Sequence, residues 1–419
     1  MATPSAVPDI LSPEFAADPY PYYRTMLDEF PLIRQEASGG YVISRYEDVQ
    51  RAFRDPVFTT DNYQWQLEPV HGRTILQMSG REHAVHRALV APAFRGNELQ
   101  EKFLPVIERN SRELIERFAT RGTVDLVAEF TTRFPINVIA DMLGLDKGDH
   151  DRFHRWYTSI IAVFGNLAGD PEVAADGERT RRELGEYLIP IIRERRANPG
   201  DDLLSTLCAA EIDGTRMTDD DIRAFCSLLL AAGGETTDRA ISALFRNLLE
   251  HPDQFAAVRR DRTLIPKAFA ETLRHTPPVH MVIRQVAEDV TLSGGTVPAG
   301  GTVVCAVGAA NRDPRRYSRP DEFDVFRDDL AASTAFSAAA DHLAFALGRH
   351  FCVGALLAKT EVEVAANHLL DAMDDLAFRD GAAPPERGVF TRGLMTLPLR
   401  FRPVAAGSSS AMAAPAVTG

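Results

Sequence analysis

Apolar and polar positions along the chain recur mostly with the period of an amphipathic helix, and that period is lost in a few definite places. Residues 21–27, 46–53 and 83–94 read as helices. Helical periodicity then dominates from Leu99 to Arg195, with breaks near Gly144, Gly165 and Pro171, and a short helical stretch lies within 201–213. Residues 31–34 and 41–44 alternate about Gly39-Gly40, the pattern of a hairpin. A second β-like region spans 281–307, with a turn at Gly294-Gly295, and a last strand is predicted at 397–401. From Asp61 to Ser79 the pattern is irregular, yet the stretch carries Tyr63, Trp65, Ile75, Leu76 and Met78. A long irregular segment with that apolar content reads as a functional loop. Residues 311–329 are a second loop, and no internal repeat is present.

One helix stands apart. Thr218-Asp219-Asp220-Asp221 is a capping sequence, and the helix it opens runs to about Leu249. Its centre is apolar nearly all round, so it is expected to run through the core. Gly233 and Gly234 sit in that centre. Each costs about 1 kcal/mol against alanine. Either close helix packing or a local distortion toward a ligand would offset this, and in the second case Glu235 and Thr236 would sit at the opening. Two other helices carry spaced polar pairs, His83 with Arg87 and Glu271 with Arg274, each on one face.

Composition narrows the class. The chain has 419 residues, 45% hydrophobic and 25% charged, as in ordinary globular proteins, and its length alone would suggest about three domains. A net charge of -13 argues against a nucleic-acid surface. The four cysteines, Cys208, Cys226, Cys305 and Cys352, form no C-x-x-C pair, which points to a reducing compartment and excludes thioether-linked haem. The first residues lack a secretory pattern and no apolar run is long enough to span a bilayer, so a cytoplasmic protein free of membrane is expected. Residues 405–419 are small and polar and are expected to form a disordered tail.

The richest stretch is 345–354. Cys352 lies between Gly348 and Gly354, with His350 two residues before it and Phe345 seven before it, and a strong helical run begins at Ala355. Glycines allow a tight turn and close approach. Amides and a helix N-terminus would lower the pKa of the thiol. Three chemistries fit Cys352: a buried structural cysteine, a nucleophile with a positioned base, or an axial iron ligand.

The full spacing F-x-x-G-x-H-x-C-x-G resembles the haem-ligand loop of the cytochrome P450 family. Four further stretches resemble soluble bacterial members in order and spacing: His83 with Arg87; 232–237; Glu271 with Arg274; and 310–327. The resemblance reaches to about Pro403 and overrides the length-based domain count. It implies a mainly α, triangular domain over 1–404 with a smaller β-rich lobe. It implies haem b, held non-covalently, with Cys352 on the iron and Phe345 in its loop. His83, Arg87, Arg284 and His350 would meet the haem propionates. Glu271, Arg274 and Arg327 would form a structural ion-pair triad. Gly233 and Gly234 would shape the oxygen site, and Glu235 and Thr236 would deliver protons there. Ala346 stands where many relatives have glycine, and Tyr317 where phenylalanine is usual.

The implied reaction is monooxygenation of a mid-sized, largely apolar molecule, in secondary metabolism, by a monomer. Two electrons would come from a ferredoxin and its reductase, docking near Arg81, Arg95, Arg349 and Lys359. The substrate pocket implied by the resemblance comprises Tyr63, Trp65, Ile75, Leu76, Met78, Phe164, Leu167, Leu229, Ala232, Val279, Met281, Val282, Leu394 and Met395. Intramolecular C–N, C–O or C–C bond formation on the same iron, and a non-catalytic haem or ligand-binding protein, are the alternatives.

Overall fold

The long central helix forms where its cap predicts. In a computed structural model it spans Asp219–Glu250, 32 residues. The Thr218 hydroxyl accepts from the Asp221 amide at 3.1 Å while the Asp221 carboxylate accepts from the Thr218 amide at 2.8 Å. This is the reciprocal capping box, which satisfies two otherwise orphaned donors. The structure describes residues 6–36, 38–164 and 170–404. The expected tail, Leu167 and the side chain of Phe164 lie outside the described residues.

Buried residues surround the central helix on every side. The helices Arg133–Met142, Pro171–Ala197, Ile265–His275 and Ala355–Ala372 pack against it and share the largest hydrophobic cluster with it. The glycine pair is explained by this packing. A Cβ on Gly233 would lie 2.9 Å from Ile139, and one on Gly234 would lie 3.0 Å from the Tyr157 ring and 3.3 Å from Ile136. The helix is continuous through both. Close approach of neighbouring elements, rather than an opened turn, offsets the cost of the glycines.

The β lobe is built on a five-stranded sheet. The predicted hairpin Leu32–Arg34 with Tyr41–Ile43 is antiparallel, and Thr302–Ala306 then joins it in parallel, Val304 opposite Val42. Met281–Val286 pairs antiparallel with Thr302–Ala306, and Phe58–Thr59 closes the far edge. Its buried faces belong to two further clusters, one containing Leu343 and Leu347 just before the cysteine.

Three local expectations are corrected. The 61–79 stretch is not irregular throughout: it contains the helices Asn62–Gln66 and Glu68–His71. Helices this short are not stable by themselves. Here the Arg223 guanidinium donates to the His71 carbonyl at 3.1 Å, Arg181 donates to the Pro69 carbonyl at 3.1 Å, and the His71 ring meets the Ser227 hydroxyl at 2.8 Å. The helix expected over 83–94 is α-helical over Gly80–Val90 and tightens to a 3-10 turn over Ala91–Phe94, which contains Pro92. Thr123–Asp125, read as part of a helical region, is a strand against Pro398–Pro403.

Glu271, Arg274 and Arg327 do meet. Arg274 makes two 2.8 Å hydrogen bonds to the Glu271 carboxylate, and Arg327 Nε lies 2.9 Å from the same carboxylate, a contact outside hydrogen-bond geometry. Arg274 also donates to the carbonyls of Asn311, Pro320 and Glu322. All three side chains are buried. The triad therefore staples the 311–327 loop to the helix Ile265–His275. Tyr317, the other departure, donates its hydroxyl to the Asp341 carbonyl at 2.7 Å, so its extra polar atom is satisfied.

Two stability predictions follow from this packing. Arg327→Ala leaves the Glu271 carboxylate to Arg274 and removes the donors that hold the Ser318, Arg319 and Glu322 carbonyls, so it should destabilise the protein by roughly 1–3 kcal/mol, read from the denaturant midpoint. Ala346 has φ 53°, in the left-handed region that disfavours a side chain. Ala346→Gly should therefore stabilise by about 1 kcal/mol, and an unchanged or lower midpoint would count against strain at that residue.

Candidate active site

The cysteine loop is pressed against the N-terminal helix Tyr46–Arg54. Gly348 has φ 68°, and a Cβ there would lie 2.7 Å from the Phe53 carbonyl. Its glycine is thus required by a backbone neighbour. The loop closes on itself through the Cys352 amide, which donates to the Phe345 carbonyl at 2.9 Å. The helix Ala355–Ala372 begins directly afterwards. The expected lowering of the thiol pKa is not the net outcome. Burial pushes the Cys352 thiol up, and outweighs the Gly354 amide and the Arg87 guanidinium, which lower it. A bound metal cation would reverse this balance, because a coordinating thiol is deprotonated outright.

Cys352 opens onto a cavity of about 310 Å³. The central helix lines it with Leu228, Leu229, Ala232, Gly233, Thr236 and Thr237. Tyr63, Ile75 and Leu76 come from the 61–79 segment, and Val279 and Val282 from the start of the sheet strand. Phe345 lies on the cysteine side of the cavity.

Five of the expected pocket residues lie elsewhere. Trp65 is 62% exposed and Met395 65% exposed. Trp65 is two residues beyond Tyr63 on one helical turn, so it points away when Tyr63 points in. Met281 precedes Val282 on a strand, where neighbours face opposite sides, and it packs into the N-terminal cluster. Met78 and Leu394 are buried in the main core and do not line the cavity. Phe225 and Leu228 do line it but were not expected. Their spacing of seven and four residues before Ala232 was the available signal.

Four cation-forming side chains gather at the cavity: His83, Arg87, Arg284 and His350. The His83 and His350 ring centroids are 4.3 Å apart. Arg87 donates to the Phe351 carbonyl at 2.6 Å, and Arg284 donates to the Ile283 carbonyl at 2.8 Å and to the Tyr63 hydroxyl at 3.3 Å. The charges that act on both histidines are positive: burial, His83 and the nearby arginines hold the His350 pKa down at about 3. His83 Nε2 is buried without a hydrogen-bond partner among the described residues. Such a group is poised for an anion. A thiol facing a large apolar cavity, with unneutralised donors beside it, fits a metal-bearing group that carries carboxylates.

Thr236 and Glu235 diverge. Thr236 lines the cavity and donates its hydroxyl to the Ala232 carbonyl at 2.7 Å. Glu235 does not reach the cavity. It is buried against Arg239, with Nε at 3.0 Å, and accepts from the Thr391 hydroxyl at 2.9 Å. One residue along a helix is a turn of about 100°, which carries the acid to the side held by Arg239.

The cytochrome P450 family model matches residues 19–374. Pulcherriminic acid synthase of Bacillus subtilis is 39% identical over 394 residues, 94% of this chain and 97% of that protein. The 6-deoxyerythronolide B hydroxylase of Saccharopolyspora erythraea is 32% identical over 95% of this chain and 99% of its own length. The solved structure of the cytochrome P450 CYP109Q5 from Chondromyces apiculatus superposes with a TM-score of 0.85, at 31% identity, over 95% of this chain and 99% of that one. No described helix is long and apolar enough to cross a membrane. The chain belongs to the cytochrome P450 family, and so is an oxygen-incorporating oxidoreductase of the haem-thiolate class.

Proposed function

We propose that Cys352 is the axial ligand of a non-covalently held haem b and that the enzyme oxidises a mid-sized, largely apolar organic molecule of secondary metabolism. The carrying observation is the cavity itself, lined together by one thiol, four cation-forming side chains and a set of aliphatic side chains. When bound, the haem iron supplies dioxygen activation with two electrons from outside the chain. His83, Arg87, Arg284 and His350 would donate to its propionates. Leu229, Ala232, Ile75, Leu76, Val279 and Val282 would seat the substrate and exclude water. Thr236 keeps acceptor capacity on its hydroxyl and would hold a proton donor in the cavity. The two relatives above, a pulcherriminic acid synthase and a 6-deoxyerythronolide B hydroxylase, support a small organic substrate.

Electrons would come from an acidic ferredoxin served by a reductase. Arg81, Arg95 and Arg349 are exposed, and Lys359 is partly exposed beside the cysteine loop. A local basic patch can steer an acidic partner despite a net charge of -13.

The reduced, CO-bound protein should show the red-shifted Soret band of thiolate ligation. Cys352→Ser should lose that band while Cys208→Ser, Cys226→Ser and Cys305→Ser keep it, and a thiolate spectrum in the Cys352 variant would sink the assignment. Reduction by ferredoxin should slow as salt rises. Full turnover with NADPH and no added partner would end the ferredoxin reading.

A further inference from the structure

The 61–79 segment reaches the cavity from two places, Tyr63 near its start and Ile75 with Leu76 near its end. Between them lies the helix Glu68–His71, followed by Gly72 at φ 80°. The last carbonyls of a helix have no intrahelical partner and carry the negative end of its dipole. Two guanidinium groups from different helices meet them here. Arg223, near the start of the central helix, donates to the His71 carbonyl at 3.1 Å. Arg181, on the helix Pro171–Ala197, donates to the Pro69 carbonyl at 3.1 Å and to the Glu68 carbonyl at 3.4 Å. Arg223 is buried and Arg181 half-buried, and neither lines the cavity.

A short chain of hydrogen bonds leads from these arginines to the cavity wall. Gly72 turns between the two guanidinium groups: a Cβ there would lie 2.7 Å from Arg223 Nη2 and 3.6 Å from Arg181 Nη2. Its carbonyl accepts from Gln77 Nε2 at 3.3 Å. The Gln77 side-chain oxygen accepts from the Thr74 amide at 2.9 Å and from the Thr74 hydroxyl at 2.6 Å. The Thr74 hydroxyl accepts from the Leu76 amide at 3.3 Å. Thr74 and Gln77 are both buried. Ile75 and Leu76 therefore sit inside a closed turn whose other end is held by the arginines. Ion pairing does not account for Arg223. It meets the Asp220 carboxylate at 3.3 Å, but that side chain is 83% exposed, where solvent screens the pair. A buried guanidinium needs acceptors. The His71 carbonyl is one, and it is the one that leads to the cavity.

Resting on the haem-thiolate reading for the reaction itself, we infer that Arg223 and Arg181 are positioning residues for selectivity. Acting through the helix Glu68–His71 and the turn over 72–77, they set where Ile75 and Leu76 stand in the cavity, and so which bulky apolar molecules it accepts. A wall fixed before the ligand arrives spares the ordering cost that binding would otherwise carry. The effect is graded by ligand size. A ligand too small to reach the wall is indifferent to the arginines, whereas one that fills the cavity depends on them. Arg223 has the larger share, because it is the more buried and holds the carbonyl next to the Gly72 turn.

Two nitrogen ligands of different size, imidazole and 4-phenylimidazole, bound to the haem-loaded protein and read from the Soret band, test this together with amide hydrogen exchange. Arg223→Lys keeps the charge but loses the planar fork. It should bind imidazole within about twofold of the wild type and 4-phenylimidazole about tenfold more weakly, with the CO-bound thiolate band unchanged. The amides of Gly72, Thr74, Leu76 and Gln77 are hydrogen-bonded within this segment. In Arg223→Lys they should exchange about tenfold faster, while amides of the helix Arg133–Met142 keep the wild-type rate. Arg181→Ala should move affinity and exchange in the same direction, by less. Equal weakening of both ligands would show a general structural loss and overturn the proposal, as would wild-type affinities and exchange in both variants. Should Arg223→Lys not fold, Arg181→Ala and Gln77→Leu decide it. Gln77→Leu leaves both arginines in place, frees the turn from Gly72 and should reproduce the size-dependent loss. Absence of the thiolate band from the wild type would remove the haem reading, whereas exchange over 72–77 reports on the arginines without any haem signal.

Discussion

A 32-residue helix without a solvent face constrains the rest of this molecule. Every side of it must be met by another element, because an exposed apolar stripe would forfeit its burial energy. Helices on several sides and a strand edge meet it, and they approach to the distance its side chains allow. At Gly233 and Gly234 that distance is short enough for Ile139 and Tyr157 to occupy the space of a side chain. Farther round the same helix, Leu229 and Ala232 leave a void instead. The cavity is therefore a by-product of how one helix distributes large and small residues around its circumference.

Charge is handled in two opposite ways inside the fold. Glu271 is neutralised by Arg274 and Arg327, and the remaining guanidinium donors are used by loop carbonyls. The carboxylate there is neutralised within the protein, so the effect of the cluster is structural. The groups at the cavity are incomplete. Among the described residues His83 keeps an unpartnered nitrogen, and His350 is surrounded by positive charge. Buried polar groups in a folded protein are almost always satisfied. Where they are not, chemistry from outside the chain is the economical explanation.

Cys352 shows how the two effects meet. The loop amides and Arg87 favour its thiolate, while burial favours the thiol, and burial prevails in the protein taken alone. The loop is nevertheless held in place, by Gly348 against Phe53 and by the hydrogen bond that the Cys352 amide donates to the Phe345 carbonyl. The geometry is thus set before any ligand arrives, at the cost of a left-handed alanine at Ala346.

Short-range signals were legible in the chain by itself. The Thr218 cap, the length of the central helix, the hairpin about Gly39-Gly40 and the spacing around Cys352 all depend on residues a few positions apart, and each is present as expected. The meeting of Glu271 with Arg274 was legible for the same reason, being three residues along one helix. Periodicity states which residues share a face but not what lies opposite. The direction of Glu235 was decided by Arg239 and by Thr391, far away in sequence. The helices at 62–71 needed Arg181 and Arg223, and the strand Thr123–Asp125 needed a partner at the other end of the chain. Local pattern specified the elements and the cysteine loop; contacts between distant segments, which exist only after folding, decided which side chains face the cavity.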